Sequence, residues 1–131
     1  MRKNVVVTLA VIWGLGITTT ALANCQNLVG NWTTICWPTE GTSNAIVAIK
    51  EDGTATYSFT DTDGSKVKGT LAGKCSIDGR LFTGTWNEQR KGNPTGPFVF
   101  LFNKEYNTFQ GIYSETANPN ESNDWVGMKI R

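Results

Sequence analysis

Glycine and a large aromatic residue recur two positions apart along this chain of 131 residues. The pairs are Gly30/Trp32, Gly84/Trp86, Gly111/Tyr113 and, in the reverse order, Trp125/Gly127. Residues two apart in a β-strand point to the same face of the sheet. Each pair therefore places a gap beside a bulky ring on one face. A small, tapered β-barrel requires that arrangement and a flat sheet does not.

Residues 1–23 have the organisation of a secretory signal peptide. Arg2 and Lys3 form a positive start, an apolar stretch covers residues 5–17, and Ala21-Leu22-Ala23 is a small-x-small cleavage site. The apolar stretch is short for a membrane span. We therefore expect export to the periplasm or the medium and a single mature domain over residues 24–131. The alternatives are an uncleaved anchor and a lipoprotein carrying its lipid on Cys25.

The charge of the mature chain excludes two classes of partner. The full chain has 12 basic and 11 acidic residues, and the leader contains two of the basic ones and none of the acidic ones. The mature chain is thus close to neutral, with both signs interspersed. It lacks the basic surface with which a protein binds nucleic acid, and the same lack disfavours binding to an anionic membrane surface. We expect neither partner, and no later apolar run is long enough to span a bilayer.

Alternation of apolar and polar residues, with turn signals between, divides the mature chain into eight short strands. They are predicted at 28–37, 44–50, 54–60, 65–72, 80–88, 96–102, 107–115 and 123–131. Asp-Gly at 52–53, 63–64 and 78–79 and Pro/Asn clusters at 93–96 and 118–120 mark turns. With an even strand number the first and last strands can pair antiparallel. We therefore predict an all-β, eight-stranded antiparallel up-and-down (meander) barrel, with a two-sheet sandwich as the alternative.

The segment 25–33, which contains Gly30-Asn31-Trp32, resembles the opening of avidins and, more loosely, of lipocalins, where a G-x-W strand begins an eight-stranded barrel. The segments 82–86 and 108–111 are similar to avidin strands too. The resemblance implies that a basic residue of the last strand, Lys129 or Arg131, covers Trp32 through a cation–π contact. Biotin-binding avidins carry Asn two residues after that Trp and Ser four further on. This chain has Thr34 and Pro38 there, so biotin is not an expected ligand.

The side chains available for chemistry are few, because the chain contains no histidine. The commonest general base and metal ligand is therefore missing, and three separate cysteines offer no zinc site. Asp61-x-Asp63-Gly64 matches half of a calcium loop, and we interpret it as a hairpin turn. The acidic residues fall in turns or on faces predicted to point outward, so no carboxyl group is expected to have its pKa raised by burial. We expect a non-enzymatic protein with no metal and no cofactor.

Two of the three cysteines are expected to pair in an exported protein. In a meander, Cys25 before the first strand and Cys75 after the fourth lie at the same end of the barrel, whereas Cys36 lies near the other end. Cys25–Cys75 is therefore the geometrically easiest disulfide. Cys36 would then be a buried small residue or an exposed thiol that forms dimers, while a Cys36–Cys75 pair would mean that the strand count is wrong.

Three longer loops are predicted at one end of the barrel, at 36–42, 88–96 and 116–123. Such loops form the mouth of a calyx or a protein-binding surface. The first hypothesis is a small apolar or amphipathic ligand in the lumen. The lumen residues would be Trp32, Tyr57, Trp86, Tyr113 and Trp125. The alternative for these rings is a lumen filled by its own side chains.

Two further hypotheses place no ligand in the lumen. One is a protein-binding module, such as an inhibitor of a secreted or periplasmic hydrolase. Its loop contacts would be Trp37, Glu40, Arg90 and Lys91. The other is a structural protein of the cell envelope with no discrete site. The oligomeric state is left open, because an avidin-like barrel can associate through its outer face.

Overall fold

The computed structural model describes residues 23–36 and 43–131. A 3-10 helix at Ala23–Leu28 precedes the first strand. The eight strands are β1 (Gly30–Cys36), β2 (Ser43–Ile49), β3 (Thr54–Thr60), β4 (Lys66–Cys75), β5 (Leu81–Glu88), β6 (Thr95–Phe102), β7 (Thr108–Glu115) and β8 (Asn118–Lys129). Within the described residues, no helix is long and apolar enough to cross a membrane.

Every strand pairs antiparallel with the next one along the chain, and β8 pairs antiparallel with β1 to close the barrel. The closing register brings Trp32 opposite Lys129 and Cys36 opposite Trp125. The predicted eight-stranded up-and-down barrel is confirmed, and the sandwich is excluded because a single closed sheet contains all eight strands.

The predicted loop at 116–123 is wrong. Strand β8 begins at Asn118, so that only Thr116 and Ala117 separate it from β7. The pairing shifts register between Ser114 and Glu115, since Ser114 lies opposite Ser122 and Glu115 opposite Asn118. The extra residues of β8 form a bulge that contains Pro119, which has no N–H to donate to the ladder. The proline and its neighbouring asparagines therefore mark a bulge within a strand.

The glycines of the barrel wall accommodate rings from neighbouring strands. Gly111 lies opposite Phe100, and a Cβ atom added to it would lie 2.5 Å from the Phe100 ring. Gly127 lies opposite Phe109 and Gly69 opposite Tyr57, and a Cβ on either glycine would collide with that ring. In the sequence, Gly111 and Gly127 are each two residues from an aromatic residue of their own strand. In the structure, the ring that occupies the space beside each glycine comes from the neighbouring strand.

One end of the barrel, called the closed end below, carries the 3-10 helix and the β2–β3, β4–β5 and β6–β7 connections. Cys25 and Cys75 form a disulfide with a Cα–Cα distance of 5.4 Å, as predicted. The bond ties the helix to the end of β4. The Trp32 indole N–H donates to the Leu28 carbonyl at 3.0 Å. The Lys129 ammonium lies 5.7 Å from the Trp32 ring centroid, which confirms the expected cation–π contact.

Candidate functional site

Aromatic rings fill the lumen from the closed end to its middle. Trp32 contacts Phe102 and Phe109, with ring centroids 5.0 and 5.8 Å apart. Phe100 stacks on Phe109 at 4.2 Å and meets Trp125 edge-on at 5.1 Å. This half of the lumen is thus occupied by the protein's own side chains. Among the predicted lumen residues, Trp32 belongs to this packed half.

The other four predicted lumen residues converge towards the opposite end of the barrel, called the mouth. We name Tyr57, Trp86, Tyr113 and Trp125 the mouth aromatic cluster. Trp125 meets Tyr57 at 5.2 Å and Tyr113 at 5.4 Å, and Tyr113 meets Trp86 at 5.9 Å, all edge-to-face. Tyr113 is only half-buried, so the cluster extends from the packed core to the surface of the mouth.

The two tryptophans of the cluster differ in their hydrogen bonds. The Trp86 indole N–H donates to the Ser114 carbonyl at 2.9 Å. Trp125 is 2% exposed, and its indole N–H has no hydrogen-bond partner among the described residues. Buried indole N–H groups are normally paired. Leaving one unpaired costs about 1–3 kcal/mol. Trp125 therefore offers a free donor inside the barrel.

Glu88 also faces this cluster, which corrects the expectation that all acidic residues point outward. The Tyr57 hydroxyl donates to one carboxylate oxygen of Glu88 at 2.9 Å, and the Arg90 guanidinium pairs with the other at 2.9 Å. The Glu88 side chain is 11% exposed. Strand β5 alternates through its last residue, so the rule that places Trp86 inward also places Glu88 inward. That alternation is the signal by which the sequence could have identified it.

Burial raises the pKa of Glu88 above its ordinary value, and the nearby Glu115 carboxylate raises it further. The hydrogen bond from Tyr57 and the charge of Arg90 act in the opposite direction without cancelling the effect of burial. Burial likewise raises the pKa of the Tyr57 hydroxyl, and the charge of Glu88 adds to that increase. Tyr57 therefore keeps its proton and remains a donor to Glu88.

Arg90 connects two segments of the mouth. Besides its pair with Glu88, its guanidinium lies 3.8 Å from the Asp61 carboxylate, in the turn between β3 and β4. Lys91, the next residue, is exposed. The other two predicted loop contacts, Trp37 and Glu40, lie outside the described residues.

Cys36, at the end of β1, is a free thiol that packs half-buried against the core. Burial raises the pKa of this thiol, and the charge of Glu88 raises it further. The thiol is therefore protonated at neutral pH and is a poor nucleophile. The interpretation of Cys36 as a packed small residue agrees with its position better than that of an exposed thiol.

An open groove of about 460 Å³ lies at the mouth, lined by the β3–β4 turn, the start of β4, the β5–β6 connection and the end of β7. Its rim is charged, and buried Val67 provides an apolar patch. The charged lining residues are Asp61, Asp63, Lys66, Arg90, Lys91 and Glu115. Within the described ranges, no group of His, Cys, Asp and Glu side chains is arranged to hold a metal ion. The groove volume lies within the range of small-molecule sites, about 300–1,000 Å³.

A second groove, of about 560 Å³, lies on the outer wall of the barrel. It is lined by β6, β7 and β8, and its apolar side chains include Val99, Leu101 and Ile112. Leu101 is 53% exposed. The outer groove lacks the buried carboxylate and the unpaired donor of the mouth, so it serves here as a reference surface for non-specific apolar binding.

No family model matches the chain, and no curated protein matches it. Among solved structures, the chain is similar to a redesigned β-barrel, mFAP1, bound to DFHBI. The TM-score is 0.61 at 16% sequence identity, over 83% of this chain and 99% of that one. Likeness at this identity establishes the fold alone. It supports a calycin-like barrel architecture, without distinguishing avidins from lipocalins.

Proposed function

We propose that this chain is an exported, non-enzymatic binding protein that takes a small apolar or amphipathic ligand at the mouth of its barrel. The observation that carries the proposal is the buried, unpaired indole N–H of Trp125. A ligand with an acceptor atom would satisfy that donor and relieve its desolvation cost, about 1–3 kcal/mol. The similar redesigned barrel holds a small molecule, DFHBI, in its own structure.

The surroundings of Trp125 favour the amphipathic member of this ligand class. Aromatic rings pack inside the barrel towards the mouth, and charged side chains line the groove at the mouth. Ligand sites commonly combine such apolar surface with a few polar groups that fix orientation. A molecule with an apolar body and a polar head matches both surfaces.

Export is supported by two independent features. Residues 1–23 have the pattern of a cleaved leader. The Cys25–Cys75 disulfide belongs to a class of bond that persists mainly in oxidising compartments such as the periplasm or the medium.

The proposal that the protein is not an enzyme rests on the catalytic groups that the side chains at the mouth could provide. The chain contains no histidine to act as a general base. The Cys36 thiol has a raised pKa, and Glu88 already accepts from Tyr57 and pairs with Arg90. These groups form a recognition surface without an activated nucleophile.

The test is calorimetric titration of a library of small amphiphiles into residues 24–131 and into two matched tryptophan variants. Trp125→Phe removes the free donor, and we expect it to weaken binding about 5–10-fold, the equivalent of one hydrogen bond. Trp32→Phe alters a tryptophan of similar burial in the packed half, and we expect unchanged affinity with lower thermal stability. Leu101→Ser reports on the outer groove. Affinity that falls with Leu101→Ser and not with Trp125→Phe would refute a mouth site.

The protein-binding hypothesis gives a different result in the same variants. Capture of a protein partner that is lost in Lys91→Ala and retained in Trp125→Phe would assign the mouth to a macromolecule. Loss of small-molecule affinity in Trp125→Phe, with Lys91→Ala unaffected, supports a site in the lumen.

A further inference from the structure

We infer that the mature protein forms a two-fold dimer in which the outer walls of two barrels pack face to face. The contact surface lies on β5, β6, β7, β8 and β1, away from the mouth, so the inference goes beyond the proposed function and does not depend on it. We name this surface the outer apolar face. Its members are Leu81, Val99, Leu101, Ile112, Val126 and Ile35.

The strand register brings these side chains into adjoining rows on the outside of the barrel. Leu81 on β5 lies opposite Leu101 on β6, and Leu101 lies opposite Gln110 on β7. Val126 on β8 lies opposite Gln110, and Ile35 on β1 lies opposite Val126. The first row therefore crosses five strands and has an apolar side chain on four of them.

Two further rows extend the apolar surface on either side of the first. Towards the mouth, Val99 on β6 lies opposite Ile112 on β7, and these side chains are 37% and 49% exposed. Towards the closed end, Met128 on β8 lies between Thr108 and Thr33 and is exposed. The outer groove of about 560 Å³ is lined by members of the first two rows. The apolar surface is thus contiguous over three rows.

The opposite wall of the barrel, formed by β3 and β4, has a different composition. Its outward side chains are exposed, and all but one of them are polar or charged. They are Thr54, Thr56, Ser58, Thr60, Lys66, Lys68, Thr70, Ala72 and Lys74. Single exposed apolar residues are ordinary on a soluble protein, whereas a contiguous patch on one side marks an interaction surface.

The scarcity of charge on the outer apolar face favours a second copy of this chain as its occupant. Asp124, opposite Ile112, is the one charged side chain in the three rows that the structure describes. Different proteins usually select each other through complementary charges, and a single carboxylate offers little for that purpose. A two-fold contact instead packs the patch against itself. Asp124 ends its row and is exposed, so it lies at the margin of the contact.

The shape of the face also suits contact with itself. Leu101 is 53% exposed, more than any other member of the face, and it stands beside the outer groove. In a two-fold contact, a side chain that enters the groove of the partner is matched by the same contact in reverse. One protruding residue and one groove on each copy therefore form two equivalent contacts.

The size of the face sets the expected strength of the dimer. Strands lie about 4.8 Å apart and residues rise about 3.3 Å, so four strands over six residues present roughly 400 Å² of wall in each copy. The two copies together bury about 800 Å² in projection, and protruding side chains increase the accessible area beyond that value. Weak and transient interfaces bury less than about 1,200 Å². We therefore expect a weak dimer, with a Kd of about 10–100 μM.

Sedimentation velocity of residues 24–131 over a series of protein concentrations tests the inference. We expect monomer at low concentration, dimer at high concentration, and no larger species, because a two-fold contact is closed. Leu101→Lys places two like charges in the contact and should weaken the dimer at least about 10-fold. Thr70→Lys places a lysine on the polar outer wall of β4 and is the matched control, which should leave the Kd unchanged.

Ile112→Lys is the second variant of the face and should act like Leu101→Lys. All three substituted positions are exposed, so the variants should keep the melting temperature of the unchanged chain at concentrations where it is monomeric. A weaker dimer in both variants of the face, with the small-molecule affinity of the mouth unaltered, supports the inference and leaves the proposed function intact.

Four results would overturn the inference. The first is a monomer at every concentration, and the second is a dimer that persists in both Leu101→Lys and Ile112→Lys. The third is a dimer that Thr70→Lys weakens as much as they do. The fourth is a dimer that Cys36→Ala abolishes, because such a dimer would form through the free thiol and not through the outer apolar face.

Discussion

Removal of the Cys25–Cys75 disulfide by the double change Cys25→Ala and Cys75→Ala should destabilise the barrel strongly. The bond closes a loop with a sequence separation of 50 residues, which includes β1 to β4. The chain-entropy treatment gives about 4 kcal/mol for a loop of this length, because the cross-link restricts the unfolded chain. Domains of this size have a free energy of unfolding of roughly 5–15 kcal/mol, so the loss is a large fraction.

The assay is urea unfolding of residues 24–131, followed by tryptophan fluorescence. The midpoint should fall with the free energy of unfolding, and the m-value should rise because the unfolded chain becomes less compact. The melting temperature should fall by roughly 16–32 °C, at about 4–8 °C per kcal/mol in a domain near this length. Cys36→Ala removes the free thiol and is the control; we expect it to cost less than about 1 kcal/mol.

A loss below about 1 kcal/mol in the double variant, with an unchanged m-value, would refute the reasoning. It would show that the buried helix segment around Cys25 and Leu28 holds the closed end without the covalent bond.

Three further predictions concern the wall, the mouth and the closed end. Gly127→Ala places a methyl group against the Phe109 ring and should cost about 1–3 kcal/mol in urea unfolding; a combined Phe109→Leu change should recover part of that loss. The raised pKa of Glu88 means that the folded state binds this proton more tightly than the unfolded state does. The free energy of unfolding should therefore decline as pH rises from 4.5 through the raised pKa, and Glu88→Gln should flatten that decline in pH-dependent melts. Lys129→Met removes the cation above Trp32 and should lower the free energy of unfolding by about 0.5–1 kcal/mol, whereas Arg131→Met should leave it unchanged.

The barrel could be predicted from the sequence because its determinants are local. Period-two alternation and the Asp-Gly turns depend on near neighbours along the chain, and an even strand count then allows closure. The Cys25–Cys75 pair follows from the same count. The sequence predicts a loop around Pro119 where the structure has a bulge, because proline and asparagine are common to both and only the cross-strand register distinguishes them.

The candidate site could be predicted only in part from the sequence. The inward positions of Tyr57, Trp86 and Trp125 follow from alternation, whereas their convergence at one end depends on the shear of the closed sheet. The burial of Glu88 was implied by its spacing from Trp86. The composition of the turn that follows suggested an exposed residue instead. Its partner Arg90 is only two residues away, but its partner Tyr57 lies on β3, and pairing across that distance has no signal in a single sequence.

Native mass spectrometry of the mature protein, purified from the cells that make it, tests the central claim most directly. We predict a small molecule that co-purifies with the barrel and is released on denaturation. The fraction of protein that carries it should be smaller in Trp125→Phe than in Trp32→Phe. A bare protein mass in all three preparations, under conditions gentle enough to retain ligands, would contradict the account of the mouth as a ligand site.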